Sequence, residues 1–159
     1  MAFNPNLPRW LLANVNGHFA SGMAAADPEI DVVREGQPLD VPDGNRIEIR
    51  MDGPFQAQYS KIEIIANIEV NIFVTTIIDD KNYLTHSVLV GQVTALFTSI
   101  PVYKCGDGPD DDGSLLGCLK LKTKGKDPFE ARNFGQIAQQ IRLNQSTVEG
   151  HYKIELTGD

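Results

Sequence analysis

The stretch KIEIIANIEVNIFVTT, residues 61–76, sets the frame for the whole chain. Its even positions from Ile62 to Val74 are apolar throughout. The odd positions carry Lys61, Glu63, Asn67, Glu69, Asn71 and Thr75, broken only by Ile65 and Phe73. Period-two alternation sends successive side chains to opposite faces of a sheet, so the stretch reads as a strand with one buried and one polar face. At roughly 3.3 Å per residue it would reach about 50 Å, whereas a compact domain of this length is only about 40 Å across. The strand must therefore bend, break into a hairpin near Ala66 and Asn67, or project toward another chain. A hairpin turn favours Gly, Asp or Asn at positive φ, and only Asn67 qualifies, so bending or projection is expected.

Upstream, Arg46–Met51 alternates in the same way, with Ile47, Ile49 and Met51 opposite Arg46, Glu48 and Arg50. Asp52, Gly53 and Pro54 are then expected to turn the chain. Glu29–Arg34 reads as a short strand before a loop holding Gly36, Pro38, Pro42 and Gly44. Asn6–Met23 is an amphipathic helix with Leu7, Leu11, Val15 and Phe19 four apart, Asn6 as its cap and Pro8 in its first turn.

Downstream, Asp79 and Asp80 are expected to cap a second helix, Asn82–Ser99. Its stripe is Leu84, Val88, Gly91 and Ala95, with Leu89, Val93, Leu96 and Ile100 beside it, and Pro101 stops it. Val102–Lys104 and Leu115–Thr123 read as strands around the loop Gly106–Ser114, and Lys124–Gly135 as a second loop. The C-terminal part reads as a hairpin of Gln136–Asn144 and Glu149–Leu156, with Tyr152, Ile154 and Leu156 opposite His151, Lys153 and Glu155. The order predicts one α+β domain over residues 1–159, a mostly antiparallel twisted sheet with long strands, packed by an N-terminal helix and a central helix.

Composition fits that frame. Of 159 residues, 42% are hydrophobic and 22% charged, the balance of a globular protein. No apolar run is long enough for a membrane span, and no basic segment followed by an apolar run opens the chain, so neither a membrane nor a standard export signal is expected. With 21 acidic against 14 basic side chains the net charge is −7, which argues against a protein whose main task is to grip nucleic acid. Cys105 and Cys118 are expected to be free, half-buried thiols.

Chemistry-bearing patterns are few. Asp107, Asp110, Asp111 and Asp112 concentrate oxygen ligands, but with Gly113 as the turn glycine of a calcium loop, position one falls on Gly108 and position twelve on Leu119. A solvated acidic hairpin tip is the better reading. Lys120, Lys122, Lys124 and Lys126 alternate and read as the lysine guard of an edge strand, or else as a basic row for an acidic surface or nucleic acid. His18, His86 and His151 stand far apart, none within ligand spacing of another His or Cys along the chain. No nucleophile elbow, phosphate loop or dinucleotide fingerprint is present, so no enzyme, cofactor or metal site is expected.

The N-terminal helix, RIEIRMDGP at 46–54, the long strand at 61–76, the helix after Asp79, IPVYKCGDGPDDDGSLLGCLKL at 100–121 and IRLNQSTVEGHYKIEL at 141–156 together resemble the tail terminator, or tail-completion, proteins of tailed bacteriophages. The resemblance implies a structural virion protein of the tail and neck, assembled in the host cytoplasm as a hexameric ring that caps the tail tube. Its partners would be other copies of itself, the tail tube protein and neck or connector proteins, with DNA passing through the lumen without specific binding. No catalytic residues come with that family. Under this reading the long strand contributes Ile65, Phe73, Glu69 and Asn71 to the ring interface, while Lys120 and Lys122 or Asp110, Asp111 and Asp112 reach an adjoining ring. Alternatives are another neck component, such as a head-closure or connector ring protein or a minor tail protein, and a monomeric α+β module that binds a small molecule or peptide.

Overall fold

A computed structural model describes residues 4–36, 44–59, 63–77, 84–106, 108–122, 129–138 and 143–157. The strands are β1 (Asp31–Val33), β2 (Arg46–Tyr59), β3 (Glu63–Ile77), β4 (Ile100–Tyr103), β5 (Leu115–Leu121), β6 (Phe129–Ala138) and β7 (Leu143–Thr157), and the helices are α1 (Leu7–Ala26) and α2 (Thr85–Ala95). The fold is α+β. Its sheet is mixed, ordered β1-β2-β3-β7-β5-β4 with β6 also on β7; β1 runs parallel to β2 and the remaining pairs are antiparallel.

The long alternating segment is one uninterrupted strand, with no hairpin at Ala66 and Asn67. All 15 residues of β3 pair with β7, from Glu63 against Thr157 to Ile77 against Leu143, and β2 lines the other edge. Its first residues, Lys61 and Ile62, lie outside the described residues. Projection is therefore corrected: β3 is a central strand, and its length is matched by neighbours of 14 and 15 residues. The spherical estimate fails because the sheet is as long as its strands. With both edges filled, β3 has no backbone left to pair with another subunit.

Three other expectations change for local reasons. The chain does not turn at Asp52–Pro54; β2 runs on to Tyr59 through a register shift between Asp52 and Phe55. Gly53 has φ +100 there, and a Cβ on it would stand 2.9 Å from the Asn67 carbonyl oxygen, so the residues of a turn serve a bulge instead. Pro54 is tolerated because β1 pairs only with 46–48, leaving that side of β2 without a ladder among the described residues. At the C-terminus, Asn144–Glu149 is not a loop: β7 runs through it, and β6 occupies much of the expected loop 124–135, while 123–128 and 139–142 lie outside the described residues. Pro101 sits inside β4, an edge strand, and α2 has already ended in a tight turn of Leu96 N–H to Val93 O and Phe97 N–H to Thr94 O.

The even face of β3 is the core face, as its alternation predicts. Ala66, Ile68, Val70, Ile72 and Val74 join Ile47 and Ile49 of β2 and Val148, Tyr152 and Ile154 of β7 in one buried cluster under both helices. Helix α1 contributes the expected stripe, Leu7, Leu11, Val15 and Phe19, together with Trp10 and Met23. It continues through Ala24–Ala26, good helix formers, until Pro28 prevents continuation. Asn6 stands at the cap position with helical backbone angles, and its side chain makes no capping bond.

Helix α2 turns the central stripe of the expected surface outward and buries Leu89 and Val93, expected beside it, together with His86. Leu84 and Val88 are each 58% exposed, and the buried residues are His86, Leu89 and Val93. Val88, Leu89, Val90 and Val93 spread apolar side chains over more than one side of the helix, so periodicity could not choose a face, and a histidine would not be counted toward the core. Asp79, Asp80 and Asn82 lie outside the described residues, and Leu84 stands at the cap position.

His86 ties α2 to the sheet: Nδ1 lies 2.8 Å from Thr76 Oγ1 and Nε2 2.6 Å from Ser146 Oγ, with all three residues buried. Burial pushes the imidazole pKa below its ordinary value. The unfolded chain then takes up a proton near pH 6.5 that the folded chain refuses, so stability is level above that pH and falls as pH drops toward the folded-state pKa. His86→Gln keeps hydrogen-bonding capacity without titrating. Between pH 7.5 and 5.5 the wild type is expected to lose up to about 1.4 kcal/mol per pH unit from this group, and the variant to show a flatter Tm profile.

Candidate functional site

Both helices pack on the even face of β3, so among the described residues no helix covers the odd face. There β2, β3 and β7 lay out rows across the sheet: Glu48, Phe73 and Thr147; Arg50, Asn71 and Glu149; Asp52, Glu69 and His151; and Phe55, Asn67 and Lys153. Lys120 extends the last row, standing opposite Lys153. The antiparallel register thus gathers residues from four strands onto one surface.

Contacts on this face are mostly between unlike groups. The Arg50 guanidinium lies 5.2 Å from the Phe73 ring centroid, a cation–π contact worth about 0.5–1 kcal/mol at an exposed site. Arg46 Nε donates to Glu48 Oε1 at 3.0 Å, Asn71 Nδ2 to Glu69 Oε1 at 3.4 Å, and Lys122 Nζ to Asn67 Oδ1 at 3.4 Å. Lys153 pairs with Glu155 at 3.5 Å, and His151 Nε2 lies 3.1 Å from Glu149 Oε1. Both signs of charge surround one aromatic ring.

Of the sequence-predicted interface residues, Ile65, Phe73, Glu69, Asn71, Lys120 and Lys122 share this surface. Ile65 and Phe73 are half-buried rather than bare. The lysine guard is corrected: Lys120 lies where β5 pairs with β7, and the Lys122 N–H donates to the His151 carbonyl, so this end of β5 is not an edge. Lys124 and Lys126 lie outside the described residues.

Asp110, Asp111 and Asp112 are elsewhere, beneath the start of α1; Asp110 and Asp112 are exposed, as a hairpin tip predicts, but the Asp111 side chain is buried. Asp111 takes both arms of the Arg9 guanidinium, one of them from Nη2 at 2.8 Å, together with Trp10 Nε1–H at 2.6 Å and the Gly108 N–H at 2.9 Å. These donors, Arg9 foremost, hold its carboxyl far below the usual carboxylate range. Asp110 accepts from Asn6 Nδ2, and Asp112 from the Ser114 N–H and hydroxyl. The carboxylates close the loop and dock it on α1. Asp107 lies outside the described residues.

A groove of about 520 Å³ lies between α1, the end of α2 and β4. Its polar groups already serve the fold: Asn14 bonds the Tyr103 N–H and carbonyl, and His18 Nε2–H donates to the Leu96 carbonyl at 2.8 Å. Cys105 and Cys118 are free and half-buried, as expected. Among the described residues, no helix is long and apolar enough to cross a membrane.

One grouping escaped the sequence. Glu69, Glu149 and His151 place one ligand-type atom each within 4.8 Å of the others. His151 has no second His or Cys at ligand spacing along the chain; Glu149 stands two residues before it on the same face, and the β3–β7 register sets Glu69 directly across from it. The odd-face alternation of both strands was the available signal, and the register that joins them was not.

No family model matches the chain, and no curated protein matches it. Among solved structures, a chain whose name describes no function superimposes with TM-score 0.57 at 15% identity, over 99% of this chain and 100% of its own length. At that identity the likeness establishes the fold and nothing of activity or assembly.

Proposed function

We propose that this protein is a structural subunit of a tailed bacteriophage, a tail-terminator-like protein whose copies close into a ring that caps the tail tube and joins it to the neck. The observation that carries the reading is the odd face of the sheet, which among the described residues has no helix over it and presents Phe73, Arg50 and paired charges of both signs. A heterologous contact between such a face and another surface of the next copy closes a ring when the rotation closes. The backbone of β3 is fully paired, so this strand joins through its side chains, and sheet continuation is left to the edges open among the described residues: β1, β2 beyond Glu48, β4 and β6. An acidic chain, net −7, suits a channel that DNA should traverse without sticking.

Native mass measurement and negative-stain imaging, alone and with purified tail tubes, test the proposal. Wild type is expected to form closed rings in at least one condition. Phe73→Asp and Ile65→Asp are expected to abolish them while far-UV circular dichroism stays native, because both residues sit half-buried on a face that the monomer does not need for its core. Wild type that stays monomeric in both conditions, or rings that survive both substitutions, would overturn it.

A further inference from the structure

Glu69, Glu149 and His151 combine features a cation site requires. Glu69 and His151 face each other across β3 and β7, and Glu149 lies two residues from His151 on the same face. Directly opposed side chains in an antiparallel pair have Cβ atoms about 5 Å apart, so the three converge from backbone that is already fixed. Both strands are held from each side: β3 lies between β2 and β7, while Glu149 pairs with Glu130 of β6 and the His151 carbonyl accepts from Lys122. Pre-organised ligands lose little freedom on binding.

Electrostatics points the same way. The side chains of His151 and Glu149 are only 33% and 29% exposed, and two carboxylates within 4.8 Å in such surroundings repel each other. A divalent ion between them converts that repulsion into attraction. Asn71 Nδ2 holds one oxygen of Glu69, the kind of outer hydrogen bond that orients a ligating carboxylate.

We propose that Glu69, Glu149 and His151 bind one divalent transition-metal ion of the zinc class on the odd face of the sheet. One imidazole nitrogen with two carboxylate oxygens suits zinc, cobalt or manganese better than magnesium, which prefers oxygen and retains its water. Three protein ligands leave further positions to water. The site is a property of the folded chain and stands whether or not the subunits form a ring.

The test uses the full chain, stripped with chelator, carrying Cys105→Ser and Cys118→Ser so that thiolates cannot compete. Titration calorimetry with zinc chloride is expected to show one equivalent bound with a dissociation constant below about 100 µM. Cobalt is expected to give a visible absorption band that His151→Gln removes. Glu69→Gln and His151→Gln, which keep side-chain size, should each weaken zinc at least about tenfold with unchanged circular dichroism. Absence of binding, or affinity unchanged in either variant, overturns the assignment. Should Glu69→Gln fail to fold, Glu149→Gln takes its place under the same criterion.

Discussion

Replacing Gly150 by valine is expected to cost about 3 kcal/mol of folding stability, the upper part of the range for overpacking a core. Gly150 lies in β7 on the core face, between Val148 and Tyr152, and a Cβ there would stand 2.4 and 2.5 Å from atoms of the Phe97 ring. That ring cannot step aside: it is 4% exposed, 5.0 Å from the Phe19 ring centroid and 6.3 Å from that of Tyr152. Nor can the strand retreat, because Gly150 is paired with Val70 on one side and Phe129 on the other. Phe97 follows α2 directly, so the missing side chain of Gly150 lets the helix end seat on the sheet. Urea unfolding measures the loss, and the double variant Gly150→Val with Phe97→Leu should recover part of it, since the two positions share one volume. A loss under about 0.5 kcal/mol for Gly150→Val would refute this account.

Asp111→Ala is expected to lower Tm by about 5 °C or more and to release the loop after β4 from α1, although sequence places Asp111 in a hydrophilic hairpin tip. Alanine leaves the Arg9 guanidinium, Trp10 Nε1–H and the Gly108 N–H without their shared acceptor. The acid dependence has a definite sign. Asp111 titrates far lower folded than unfolded, so its contribution is complete above the ordinary aspartate pKa of about 3.9 and is lost as pH falls through the folded-state value. Asp111→Asn removes that titration. The Tm gap between wild type and this variant should hold constant from pH 7 to about pH 4.5 and narrow below that. Tryptophan fluorescence provides a second readout, because Trp10 is the chain's single tryptophan and donates to Asp111. Unchanged Tm and unchanged fluorescence in Asp111→Ala would contradict the docking role.

The readable part of the fold lay where one side chain's placement follows from the next. The period-two pattern of 61–76 fixed which face of β3 is buried, and the period-four stripe of α1 fixed its packing side, because local geometry alone decides them. The α2 face was not readable for the same reason in reverse. A helix with valines and a leucine on several sides has no single preferred direction until a sheet is placed beneath it, and His86 became a core residue only once Thr76 and Ser146 met its two nitrogens.

The candidate site divides in the same way. That Ile65, Glu69, Asn71 and Phe73 share one face was determined by alternation. Which residues lie beside them, Arg50 over Phe73 and His151 and Glu149 next to Glu69, depends on the register of β2 and β7 against β3, which no single strand encodes. The role of Asp111 likewise required α1 to bring Arg9 and Trp10 to it from the far end of the chain. The sequence by itself determined the strand, its faces and the acidic balance. Tertiary structure decided that the long strand is central, because only neighbours of equal length, each hydrogen-bonded along it, could satisfy the backbone groups of so long a segment.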